Sequence, residues 1–262
     1  MKRLGGFGLV EIMVAIVVAL MLTLGLVSML VTSQQGYSIG RASHRLSDGG
    51  QRVVQLMQNL LLQAGYVNYQ RRTLDTGLSA GGSWLAGQGL LGDDGLAGSG
   101  FLAGSDRLTV RFYGASVADN DPSRPTATQS DGRLTDCSGN TVSRLQLVIL
   151  QLYVDSSGQL ICADNLNSPV VMAQNIQSLQ LRYLTSTTGA TFQPASSITG
   201  SAWKNVIAVE FAMLAANPSG QQVAAKARQW QVLDQQVNSP ADRMMRQLLA
   251  GSVSLRNRGA ND

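Results

Sequence analysis

Residues 12–31, IMVAIVVALMLTLGLVSMLV, carry no charge, and only Thr23, Gly25 and Ser28 interrupt them with weak polarity. At about 1.5 Å per residue, a helix over this stretch spans roughly 30 Å, the thickness of the hydrocarbon core of a bilayer. The run therefore reads as a transmembrane helix. Lys2 and Arg3 precede it, and the positive-inside bias keeps them cytoplasmic and sends the C-terminal bulk across the membrane. The run is too long for an ordinary secretory signal, whose apolar core is roughly 7–15 residues, and no small-residue cleavage site follows it. Glu11 abuts the first apolar residues. A carboxylate there is costly unless it reaches water or finds a cation, so a partner is expected.

The helix is expected to continue beyond the membrane. Ile39, Ala42, Leu46, Val53, Leu56, Met57, Leu60, Leu61 and Ala64 form the stripe of an amphipathic helix, opposed by Arg45, Asp48, Arg52, Gln55 and Gln58. A globular domain should sit on that stripe. Gly49 and Gly50 could bend the helix or admit close packing, Gly65 is a C-terminal stop, and His44 reads as a helix-surface histidine.

The chain of 262 residues is 44% hydrophobic, enough for a buried core, while charged residues make up 14% and the net charge is +4. That excess is thin and scattered, which argues against nucleic acid as a partner. One histidine and two cysteines, Cys137 and Cys162, lack the spacing of a zinc site. In an exported chain the two cysteines read as one disulfide in an oxidising compartment.

Beyond the helix, the tract at 77–104 is so rich in glycine that a long surface loop without regular structure is expected. Strand patterns follow it. Leu108, Val110 and Phe112 alternate with Thr109, Arg111 and Tyr113; 143–154 and 158–162 flank the turn Asp155–Gly158 as a hairpin. Further strands are expected at 170–172, 178–184 and 203–214, with a turn at 217–220 leading to another near 223–233. Residues 240–249 suggest a short helix, and 252–258 alternate like a strand. One helix followed by many strands argues α+β with an antiparallel sheet.

Two catalytic-looking motifs fall in the glycine tract. Gly77–Gly81 fits G-x-S-x-G, but a nucleophile elbow needs a later histidine, and His44 comes first. Gly87–Gly92 fits G-x-G-x-x-G without a strand before it or a phosphate-receiving helix after it. Asp119-Asn120-Asp121 lacks the later glutamate of an EF-hand loop, and an irregular calcium site there is left open. No enzyme activity, cofactor or metal is expected.

Gly6-Phe7-Gly8-Leu9-Val10-Glu11 before the apolar run resembles the class III signal of type IV prepilins and pseudopilins. The resemblance implies cleavage between Gly6 and Phe7, methylation of the new Phe7 amine, and a role for Glu11 in assembly and axial register. The segments 64–66, 105–114, 136–140, 160–162, 171–183 and 254–258 resemble the PilW family of minor pilins. This implies a type IV pilin-like α+β fold, a long N-terminal helix packed on antiparallel sheet. The expected divisions are a leader at 1–6, a transmembrane and assembly helix at 7–40, its amphipathic continuation at 41–65, a Gly-rich loop region at 66–105 and a β-rich exported domain at 106–262. The implied function is a structural minor pilin that helps initiate a type IV pilus, held in the inner membrane with its domain in the periplasm and then carried to the filament tip. The implied partners are the prepilin peptidase, other minor pilins, the major pilin and a tip adhesin. A minor pseudopilin of type II secretion is the alternative, and a membrane-anchored periplasmic enzyme a more distant one.

Overall fold

The computed structural model describes residues 8–68, 77–117, 129–187, 189, 191–221 and 225–257, with the backbone alone for 218–221. Asp119–Asp121 therefore lie outside the described residues. A single helix, α1 (Leu9–Gln63), runs unbroken through both expected halves. Ten strands follow: β1 (Leu90–Asp93), β2 (Arg107–Tyr113), β3 (Leu147–Val154), β4 (Leu160–Asp164), β5 (Val170–Ala173), β6 (Ile176–Thr185), β7 (Val206–Gln221), β8 (Arg228–Val232), β9 (Gln235–Ser239) and β10 (Met244–Ser254). The expected α+β class with antiparallel sheets is what the chain adopts.

Strands β1–β5 form one sheet in sequence order, a second sheet has the order β10-β7-β6, and β8 and β9 form a separate hairpin. Every pairing is antiparallel. The alternation in β3 puts Val148, Leu150, Leu152 and Val154 into the core. Helix α1 lies against β7 and β10, where Met57 and Leu61 are fully buried and Leu60 nearly so. Burial of each such side chain stabilises the domain by about 1.5–3 kcal/mol. Gly50 is the close-packing glycine, because a Cβ there would meet Leu249 of β10, whereas Gly49 faces open space.

Four expectations are corrected. Residues 244–249 are strand, not helix, despite their helix-forming composition: they pair with β7 from Met213 to Gln221, and Leu249 and Val253 reach the core beside α1. Long-range pairing outweighs a propensity worth tenths of a kcal/mol per residue. The turn at 217–220 is instead part of β7, which continues to Gln221 with a register irregularity opposite Met244 and Met245. The glycine tract is more than a surface loop. It supplies β1, which pairs with β2, and it buries Leu78, Gln88 and Leu90. The expected strand at 203–214 begins only at Val206, after a 3-10 turn over Gly200–Asn205.

Candidate functional site: the projecting helix and the hub that holds it

The first half of α1 touches nothing else among the described residues. It holds an 18-residue window of mean hydropathy 2.8 with 0% of it buried, and Leu9, Met13, Leu22, Leu24 and Met29 are each more than 60% exposed. The hydroxyls inside the apolar run are satisfied within the helix: Thr23 Oγ1 donates to Ala19 O at 3.0 Å and Ser28 Oγ to Gly25 O at 2.8 Å. A lipid-facing helix requires this economy. Glu11 sits in the first turn, where the exposed N–H groups and the helix dipole favour an anion. Gly6 and Phe7 lie outside the described residues; the rest of the motif is placed, with Gly8 as the N-cap of α1 and Leu9, Val10 and Glu11 opening the helix.

At its other end, α1 is held by backbone groups of Arg111 and Thr135, by the side chain of Asn257 and by close packing of Gly89. Gly65, at φ +74°, turns the chain out of the helix and donates its N–H to Arg111 O at 2.9 Å. A side chain at Gly65 would collide with Asn257 O, and one at Gly89 with the Gly65 backbone. Asn257 Nδ2 donates to Leu62 O at 3.1 Å and Ala64 O at 3.4 Å, satisfying carbonyls that the helix end leaves open. On the neighbouring turn, Gln63 Oε1 accepts from Thr135 N at 2.8 Å.

Arg111 organises the glycine tract. Only 3% exposed, it donates from Nε to Gln88 O, from Nη1 to Ser79 O and from Nη2 to Leu85 O and Leu78 O, at 2.6–3.3 Å, and its guanidinium lies 4.5 Å from the Trp84 ring centroid. Burial pushes its pKa down, but a guanidinium stays charged. A glycine-rich segment offers many carbonyls and few side chains, so one forked cation can gather it.

Ser105 and Asp106 join the two sheets. Asp106 N donates to Leu179 O, Asp106 Oδ2 accepts from Leu181 N at 2.7 Å, Oδ1 accepts from Gly95 N at 2.9 Å, and Ser105 Oγ accepts from Leu179 N. These groups occupy an edge of β6 that would otherwise be open. Burial, offset in part by the two N–H donors, raises Asp106 to about 7. The hydroxyl of Tyr183 is buried without a hydrogen-bond partner, and burial, then Asp106, Asp94 and Asp93, push its pKa well up.

Cys137 and Cys162 form the expected disulfide, Cα–Cα 5.6 Å, tying the Asp136–Asn140 turn to β4. Asp136 Oδ1 accepts from Ser138 N and Asn140 N, while Cys137 N donates to Asp164 Oδ2. His44 is exposed on α1, and Ser79 serves Arg111 through its carbonyl, so the G-x-S-x-G residues are loop backbone. Among the described residues no group of three His, Cys, Asp or Glu could hold a metal ion.

Sequence reasoning missed Arg111, Asp106, Gln63 and Asn257 as anchors. Alternation in β2 put Arg111 on a face that looked solvent-exposed. Its one available signal was an arginine in a strand following a tract full of carbonyls and poor in side chains.

Residues 139–257 match the family model of PilW, the type IV pilus-assembly protein W. The match takes in the quoted segments 160–162 and 171–183 and nearly all of 254–258, and it bears out the resemblance there. Among solved structures the chain is similar to a type IV-like pilin from Thermus thermophilus, 14% identical over 82% of this chain and 99% of that one, with a TM-score of 0.48. No curated protein sequence matches. The PilW match, with the apolar helix, supports a pilus-related minor pilin and fits membrane anchoring.

Proposed function

We propose that the chain is a structural minor pilin that helps initiate a type IV pilus and occupies the filament tip. One observation carries the reading: a single helix whose first half, free of charge from Ile12 to Gly40, is left exposed to lipid or neighbouring helices, while its second half is locked into a domain whose residues 139–257 match PilW. The naming of that family for pilus assembly favours a pilus over the pseudopilus of type II secretion. In this reading the leader is cut between Gly6 and Phe7 by the prepilin peptidase, Phe7 is methylated, and Glu11 neutralises an amine, its own or a neighbour's. The chain waits in the inner membrane with its domain in the periplasm and then joins other minor pilins, the major pilin and a tip adhesin.

Intact mass should show loss of residues 1–6 and one methyl group, and quantitative mass spectrometry of sheared filaments should find far fewer copies than of the dominant subunit. A chain still starting at Met1, or abundance rivalling the main subunit, would sink the respective part. Glu11→Ala removes an attraction together with a costly charge. The variant should stay in the membrane but fail to enter filaments.

A further inference from the structure

Where α1 leaves the membrane, the domain presents a pole of cations. We infer that this pole is a docking surface for anionic phospholipid headgroups, seating the domain on the bilayer before assembly; the inference rests on the membrane-anchor reading above.

The cations come from three separate segments. Arg41 and Arg45 are exposed on α1; Lys226 and Arg228 lead into and begin β8; Arg243 directly precedes β10. Contacts along the helix set the level of each. Leu249 of β10 packs at Gly50, Gln247 reaches Ser47, and Asn217, paired with Met245, donates to Ala42 O. Strand β10 therefore climbs the helix away from the membrane, and its first residues, which Arg243 directly precedes, come at the level of Ala42. Arg228 pairs with Ser239, a few residues upstream of Arg243, which brings β8 to the same end.

The helix supplies the distance to the lipid. No charge occurs from Ile12 to Gly40, so Arg41 is the first charge after the apolar run. Its guanidinium folds back one turn over the Tyr37 ring, 5.5 Å from the centroid, and Tyr37 is 69% exposed. Tyr37 is six residues past Val31, about 9 Å at helical rise. The headgroup layer occupies roughly the first 5–8 Å beyond the hydrocarbon on each side. Tyr37 thus stands just beyond the headgroup layer, and Arg41, reaching back over its ring, brings the first cation after the apolar run against the outer edge of the headgroups.

Acidic charge does not cancel the pole. Asp242 is held by Arg246 through two bonds of 2.7 Å, and Asp48 lies a turn further from the membrane than Arg45. Among the described residues, no carboxylate forms an ion pair with any of the five cations. Each exposed cation near an anionic surface adds to attraction that salt screens.

The test uses the full chain reconstituted in vesicles of phosphatidylcholine alone or with a third of phosphatidylglycerol. Amide hydrogen exchange at 225–229 and 240–246 should slow at least about fivefold in the anionic vesicles. The slowing should vanish in 0.5 M salt and in a variant carrying Arg41→Gln, Arg45→Gln, Lys226→Gln, Arg228→Gln and Arg243→Gln. All five side chains are exposed, so the variant should fold, and the salt series on the unaltered chain tests the proposal without it. Equal exchange in both vesicle types, in a chain that resists alkaline carbonate extraction, would overturn this proposal and leave the anchor reading standing. Extraction by carbonate would overturn both. Protection that needs an added pilin domain and arises equally in phosphatidylcholine would assign the pole to an acidic protein and overturn the lipid reading.

Discussion

The two halves of α1 are one continuous helix with opposite fates. From Leu9 to about Arg41 every described side chain is exposed or nearly so; from Ala42 to Gln63 the helix buries Ala42, Gly50, Val53, Met57, Leu60, Leu61 and Gln63. Apolar content does not explain the difference, since the exposed half is the more apolar one. Burial within the chain is decided by which half the domain's own strands can reach, and the other half is left for lipid or for other subunits.

Arg111→Met should break the hub most severely, because four carbonyls lose their donor, those of Leu78 and Gln88 buried. Unfolding of the detergent-solubilised chain in urea should show a loss of about 4 kcal/mol, with residues 78–88 becoming cleavable by protease. Removing the disulfide by Cys137→Ser with Cys162→Ser releases a closure of 25 residues and should cost about 3 kcal/mol. Leu61→Ala, in the packed half, should cost a similar amount, about 3 kcal/mol. If it proved neutral, the contact between helix and sheet would not be what holds the domain to its anchor.

Asp106 sharpens the comparison through pH. Its pKa in the folded chain, about 7, lies above the unfolded value near 3.9. The folded state therefore holds the proton more tightly, and stability falls as pH rises from about 4 to about 7, by on the order of 2 kcal/mol. Melting temperature should drop across that window and level off above it, and Asp106→Asn should flatten the slope whatever it does to absolute stability. Leu24→Ala, in the projecting half, should leave the melting temperature unchanged, because Leu24 is 70% exposed and packs on nothing in the chain; a shift of several degrees would mean that the two halves are coupled.

The elements legible in advance share one property, a pattern complete within a few residues. The apolar run, the stripe at Val53, Met57, Leu60 and Leu61, and the alternation of Leu147–Val154 each declare a helix or strand without reference to anything distant. The paired cysteines were legible for another reason, since two lone thiols in an exported chain have few other uses. Strand β10 was hidden because 240–249 is locally a good helix: Asp242 and Arg246 even stand four apart, and they do pair, but across a bend ahead of the strand.

Local patterning alone thus determined a membrane-length helix, its amphipathic continuation and a set of antiparallel strands after it, because side-chain periodicity is a property of neighbours in sequence. Tertiary structure decided what each exposed-looking residue was for. Arg111 gathers carbonyls 23–33 residues away, Asn257 caps a helix 193–195 residues earlier, and Asp106 fills a strand edge 75 residues on. A buried polar group gains from folding only when a specific partner meets it. That partner is chosen by how the sheets stack, which no local pattern encodes.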